Sequence, residues 1–112
     1  DNIHYDTGKS DIRPDARPEL DRLVQFLNDN PEVRVELSSH TDSRSSADYN
    51  LKLSQRRADE AKKYIVSKGI NANRIVSVGY GESRLLNRCA DGVECSEEEH
   101  QLNRRTEIKM IK

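Results

Sequence analysis

Asp42 and Arg57 are the two residues whose types and placement suit them to chemistry on a charged ligand. Asp42 follows a run in which Val33, Val35 and Leu37 alternate with Arg34 and Glu36, the period-two pattern of a half-buried strand that ends near His40. Arg57 borders the apolar face of a long helical stretch in which Leu51, Ala58, Ala61 and Ile65 share one side. The polar turn Ser43-Arg44-Ser45-Ser46 lies between them. A carboxylate at a strand end accepts hydrogen bonds from an ammonium, and a planar guanidinium grips a carboxylate through two parallel bonds. The amides that open the helix, near Ala47 to Asn50, add partial positive charge where an anion would lie. The pair therefore reads as a clamp for a zwitterion, expected at the surface, where it contributes little to folding. Without a ligand the same two residues read as a solvated ion pair worth about 0–1 kcal/mol.

Other residues fall around this clamp. Thr41 offers backbone or hydroxyl groups, and Asn50 has both a donor and an acceptor, although it also suits a role holding the helix start. Leu51 suits packing against an aliphatic stem. Arg104 and Arg105 open the last strand with side chains on opposite faces, so at most one of them reaches the ligand directly, and local geometry favours Arg104. His40 reads as a residue that orients the loop rather than as a base. Arg56, Lys62 and Lys63 read as the solvent face of the helix.

The elements that must position these residues follow from periodicity. Ile3 to Tyr5 reads as the end of a first strand. Pro14 suits a helix opening, Leu20, Leu23, Val24 and Leu27 recur at helical spacing, and Asn28-Asp29-Asn30-Pro31 ends that helix. The clamp-bearing helix is predicted to stop at Lys68, with Gly69 as a left-handed cap and Ile70 folding back as its apolar partner. Arg74 to Val78 reads as a third strand, a loop containing Cys89 and Cys95 follows, and Thr106 to Ile111 is the last strand. The order β-α-β-α-β-β predicts an α/β two-layer sandwich of the α+β kind, with helices packed on one face of a mixed sheet.

Composition narrows the function. The 112 residues fit one domain, 33% of them are hydrophobic, and 35% are charged with a net charge of only -1. No global field exists to recruit nucleic acid or an anionic membrane, so anion recognition must be local. No run reaches the roughly 18 apolar residues of a membrane-spanning helix. An RNA-binding role would require aromatic residues on exposed strands and a basic surface, whereas the single phenylalanine lies in the first helix.

The segment from Ser38 to Ile65 resembles the signature of the OmpA-like peptidoglycan-binding domain. His40, Thr41 and Asp42 match its H-T-D, and Tyr49, Asn50, Leu53, Ser54, Arg57, Ala58 and Ile65 match the helix that follows. A second element, Gly79 to Glu82 followed by Asn103, Arg104, Arg105 and Glu107, completes the resemblance over nearly the whole chain, residues 1–112. It departs at Ala61, where valine is usual, and at Ser45, where glycine is frequent and a positive φ would cost serine about 1 kcal/mol. The resemblance implies non-catalytic binding of peptidoglycan through meso-diaminopimelate of the stem peptide, with Asp42 on its ammonium and Arg57 on its carboxylate. It implies a periplasmic domain of an outer-membrane or envelope protein, anchored by a segment upstream of Asp1, and no cofactor.

In such a compartment Cys89 and Cys95 are expected to form a local disulfide. The rival reading joins them to His100 as three zinc ligands, but the spacing fits none of the tight pairs of structural zinc sites. An enzymatic alternative, a wall-processing hydrolase using His40 and Asp42, lacks any G-x-S-x-G or H-E-x-x-H motif.

Overall fold

The computed structural model describes residues 3–5, 12–44, 46–83 and 95–111, and its elements run β1 (Ile3–His4), α1 (Arg17–Asp29), β2 (Arg34–Ser39), α2 (Ala47–Ser67), β3 (Ile75–Gly79), α3 (Glu97–Asn103) and β4 (Arg105–Ile111). The strands form one sheet in the order β1-β4-β2-β3, with β2 and β3 parallel and β4 antiparallel to both β1 and β2. This is the mixed sheet of the predicted two-layer α/β architecture. The register aligns Val35 with Ile75 and Met110, and Leu37 with Ser77 and Ile108. Alternation therefore sends Val35, Leu37 and Ile75 to one face, where they meet Leu20, Leu27, Ala61 and Ile65 of the two long helices in the core.

Pro14 opens a single 3-10 turn, Pro14–Ala16, and the α-helix takes over at Arg17. Ser46 caps α2, its Oγ accepting from the Tyr49 N–H at 3.2 Å. The predicted stop also forms: Gly69 has φ +101°, its N–H donates to the Val66 carbonyl at 3.0 Å, and Ile70 is buried in the core. β3 begins one residue later than expected because Arg74 belongs to a 3-10 turn, Ala72–Arg74.

One element departs from the sequence reading, which placed only a loop before the last strand. Ser96 and Glu99 form a reciprocal capping box, with the Glu99 N–H on Ser96 Oγ at 3.2 Å and the Ser96 N–H on Glu99 Oε1 at 3.0 Å. That box nucleates α3. Cys89 and Ser45 lie outside the described residues.

Candidate functional site

Asp42 sits where the extended backbone beyond β2 turns toward α2. The junction is fixed by main-chain bonds: the His40 N–H donates to the Arg105 carbonyl at 2.7 Å, and the Thr41 N–H to the Gly81 carbonyl at 2.9 Å. Asp42 Oδ1 accepts from the Arg44 N–H at 3.1 Å, while Oδ2 accepts from Arg44 Nη2 at 2.9 Å and from Arg104 Nη1 at 2.8 Å. Both guanidiniums continue to Glu97 on α3. Arg44 Nη1 reaches Oε2 at 2.8 Å, and Arg104 Nη2 reaches Oε1 at 2.5 Å. Two carboxylates and two guanidiniums thus alternate in a closed ring whose formal charges cancel.

Arg104 is the fixed member of that ring. Its Nε donates to the Tyr5 carbonyl at 2.9 Å, its Nη2 also reaches Gln101 Oε1 at 2.6 Å, and the residue is only 3% exposed. Arg105, in contrast, turns to Glu107 at 3.3 Å. Of the two arginines, Arg104 is the one bonded to Asp42. Burial pushes the Asp42 carboxyl up, but hydrogen bonds from Arg44 and Arg104 outweigh it and hold the group below the ordinary carboxylate value. Hydrogen bonds from Arg104 and Arg44 lower Glu97 in the same way.

The expected surface pair of Asp42 and Arg57 needs correcting. Asp42 is 7% exposed and Arg57 is 0% exposed. Arg57 does not border the apolar stripe of α2 but lies within it, between Asn50, Leu53 and Ser54 on one side and Ala58, Ala61 and Ile65 on the other. Its guanidinium stacks 4.9 Å from the centre of the Tyr5 ring, and Nη1 donates to the His40 carbonyl at 3.2 Å. Burial pulls Arg57 down to about 10, which leaves it cationic at neutral pH, and pushes Tyr5 up to about 12. The Tyr5 hydroxyl lies 2.9 Å from Thr106 Oγ1.

The remaining predicted residues lie along the start of α2 and beside the Thr41 junction. Leu51 is 50% exposed and lines an open groove of about 300 Å³ with Ala47, Tyr80, Gly81, Glu82 and Ser83. Asn50 is buried, and its Nδ2 donates to Glu82 Oε1 at 3.1 Å, so it ties α2 to the groove wall. Thr41 Oγ1 is buried with no hydrogen-bond partner among the described residues. His40 and Asp42 have separate surroundings: the His40 ring stacks on Tyr80 with centroids 5.4 Å apart, and its Nε2 lies 3.4 Å from Glu107 Oε1. They do not form the dyad a hydrolase would use. Cys95 carries no free thiol and directly precedes Ser96, the N-cap of α3.

Two ring members, Arg44 and Glu97, were not singled out from sequence. Arg44 follows two residues after Asp42 in a turn, the spacing at which an Asp side chain bonds forward to the backbone. Glu97 opens α3, which the Ser96-x-x-Glu99 pattern signals.

Helices on one face of a mixed sheet, with a charged strand-to-helix junction beside a groove, define a class of two-layer binding modules. The chain belongs to the OmpA family, whose model matches residues 4–99. It is 40% identical over 97% of its length to outer membrane porin F of Pseudomonas fluorescens, of which it covers 32%. It is 38% identical over 81% of its length to the peptidoglycan-associated lipoprotein of Mesorhizobium japonicum, of which it covers 54%. The chain thus spans about a third to about half the length of these relatives. The crystal structure of the peptidoglycan-associated lipoprotein from Burkholderia pseudomallei shares the fold, with a TM-score of 0.89, 20% identity, and coverage of 98% of this chain and 89% of that one. Among the described residues, no helix is long and apolar enough to cross a membrane.

Proposed function

We propose that this chain binds peptidoglycan without catalysis and holds an outer-membrane or envelope protein to the cell wall from the periplasm. The observation that carries this reading is Asp42, a carboxylate held ionised by Arg44 and Arg104 at a strand-to-helix junction, where the adjoining Thr41 N–H bonds to the carbonyl of Gly81 in the wall of a groove of about 300 Å³. The names of two relatives, outer membrane porin F and peptidoglycan-associated lipoprotein, support the compartment and the polymer. The proposed ligand is the free end of meso-diaminopimelate, where an ammonium and a carboxylate share one carbon. Asp42 receives the ammonium and Arg104 keeps Asp42 ionised. The Thr41 hydroxyl supplies a further polar contact, while Asn50 and Leu51 shape the groove for the aliphatic stem. Arg57 contributes the positive field beneath the site that favours the carboxylate.

A few charge-assisted contacts at a partly wet site give weak monovalent affinity, on the order of micromolar to millimolar, and many copies facing a polymer make retention firm. The purified chain is expected to sediment with insoluble peptidoglycan, and free meso-diaminopimelate is expected to release it. A chain that stays in the supernatant over a range of salt, while a known binder pellets, overturns the reading. Arg57→Met tests the field, because it keeps most of the side-chain volume over Tyr5 while removing the charge together with the bond to the His40 carbonyl. It should keep the thermal midpoint within a few degrees and lose most of the sedimentation. Full sedimentation by this variant would leave Arg57 a purely structural role.

The bridge between Cys89 and Cys95 belongs to the same proposal, since it would tie the segment leading into α3 and Glu97. Protein exported to an oxidising compartment should be lighter by the two hydrogens lost on bridge formation. Reduction should lower stability by no more than about 2 kcal/mol, because the closed loop is short. Two free thiols in the exported protein would remove the bridge from the account.

A further inference from the structure

We propose, on the peptidoglycan reading above, that Arg44 is a specificity residue: it neutralises Asp42 until a ligand's ammonium displaces it, and it then meets the ligand's carboxylate. Three guanidiniums surround this junction, and they differ in access. Arg57 is 0% exposed and the Arg104 side chain 3%, whereas the Arg44 side chain is 37% exposed. Arg104 is anchored to Tyr5, Asp42, Glu97 and Gln101. Arg44 reaches Asp42 from one edge of its guanidinium and Glu97, whose side chain is 58% exposed, from the other. Arg44 can therefore leave Asp42 Oδ2 while keeping its hold on Glu97.

Charge decides which ligand makes that exchange favourable. An arriving ammonium competes with Arg44 for Asp42 Oδ2, which already accepts from two arginines. If the ligand end is a bare ammonium, the ring then holds three cations against two carboxylates in a partly buried setting. A zwitterionic end brings its own carboxylate, which the displaced Arg44 can grip through two parallel bonds, and the charges balance again. Arg44 thus makes the carboxylate of the ligand compulsory, and it does so from the solvent side.

The test uses the chain as it stands and two soluble tripeptides, alanyl-γ-glutamyl-meso-diaminopimelate and the same peptide ending in lysine, which lacks only the distal carboxylate. By isothermal titration, the chain should bind the first more tightly than the second. Arg44→Gln should reduce that preference about tenfold, mainly by improving the lysine peptide, and Arg44→Lys should preserve most of it. A merely structural role would weaken both peptides together and leave their ratio unchanged, and a ratio within twofold of the unsubstituted chain overturns the proposal. A second readout needs no variant. The Arg44 Nε–Hε resonance should move on saturation with the diaminopimelate peptide, and an unmoved resonance also overturns the proposal. Failure of the unsubstituted chain to bind either peptide instead overturns the peptidoglycan reading, and the role of Arg44 falls with it.

Discussion

Asp42→Ala is expected to lower the thermal midpoint by roughly 10 °C and to abolish sedimentation with peptidoglycan. The stability loss follows from Arg104, which is 3% exposed and loses its bond from Nη1 to Asp42 Oδ2 at 2.8 Å. Stripping one partner from a buried ion pair leaves an uncompensated charge and costs about 3–5 kcal/mol. Glu97 and Gln101 still hold Arg104, so a loss of about 2–3 kcal/mol is expected, which for a domain of this size corresponds to that shift in midpoint. The binding loss follows from the missing acceptor for the ammonium. Asp42→Asn keeps the shape but not the charge and should lose binding as fully.

The pH dependence has a definite sign. The folded Asp42 carboxyl is held below the ordinary value, so its contribution is present above about pH 4 and is lost as pH falls through the folded value. The gap in midpoint between the unsubstituted chain and Asp42→Ala should therefore be full at pH 7 and shrink toward pH 3. A gap that stays constant on acidification, or a variant as stable as the parent at neutral pH, contradicts the assignment of Asp42 as the counter-ion of Arg104.

The parts of the fold legible in the sequence are those with a strong local period or a punctuating residue. The alternation of Val33, Val35 and Leu37, the helical spacing of α1 and α2, and the stop at Gly69 each carry their own signal. The sheet order β1-β4-β2-β3 does not, because it depends on where β4 inserts, and pairing between distant strands leaves no local pattern. The site divides the same way. Asp42 and Arg57 are found by their position at a strand end and on a helix, but exposure depends on tertiary packing. The buried stripe of α2 runs through Arg57 rather than beside it, since Leu53 together with the polar Asn50 and Ser54, which a hydrophobic pattern passes over, continues the stripe toward the N-terminus. The closure of the ring by Glu97 required α3, and so it lay beyond a reading in which that segment was a loop.

Gly79→Ala is expected to cost about 3 kcal/mol or more, a large share of the stability of a domain this small. α2 crosses β3 so closely there that a β-carbon on Gly79 would stand 2.8 Å from Gln55 Cα and nearer still to Gln55 N and Ser54 Oγ. Two of these three atoms are Gln55 backbone, so rotation of the Ser54 side chain alone cannot relieve the clash. It is also fastened by hydrogen bonds: the Gly79 N–H donates to Gln55 Oε1 at 3.0 Å, and the Gly81 N–H donates to Ser54 Oγ at 2.9 Å. Gly69→Ala supplies the comparison, because a β-carbon there meets nothing within 4 Å and only the φ of +101° resists it, a cost of about 1 kcal/mol. Urea unfolding of the two variants should thus differ by about 2 kcal/mol with Gly79→Ala the weaker. Forcing α2 away from β3 also shifts Asn50, Leu51 and Arg57 against the junction that carries Asp42. The molecules of Gly79→Ala that remain folded should therefore bind peptidoglycan more weakly than those of Gly69→Ala. Equal stabilities, or equal binding per folded molecule, would mean that the close crossing of α2 over β3 does not set the geometry of the site.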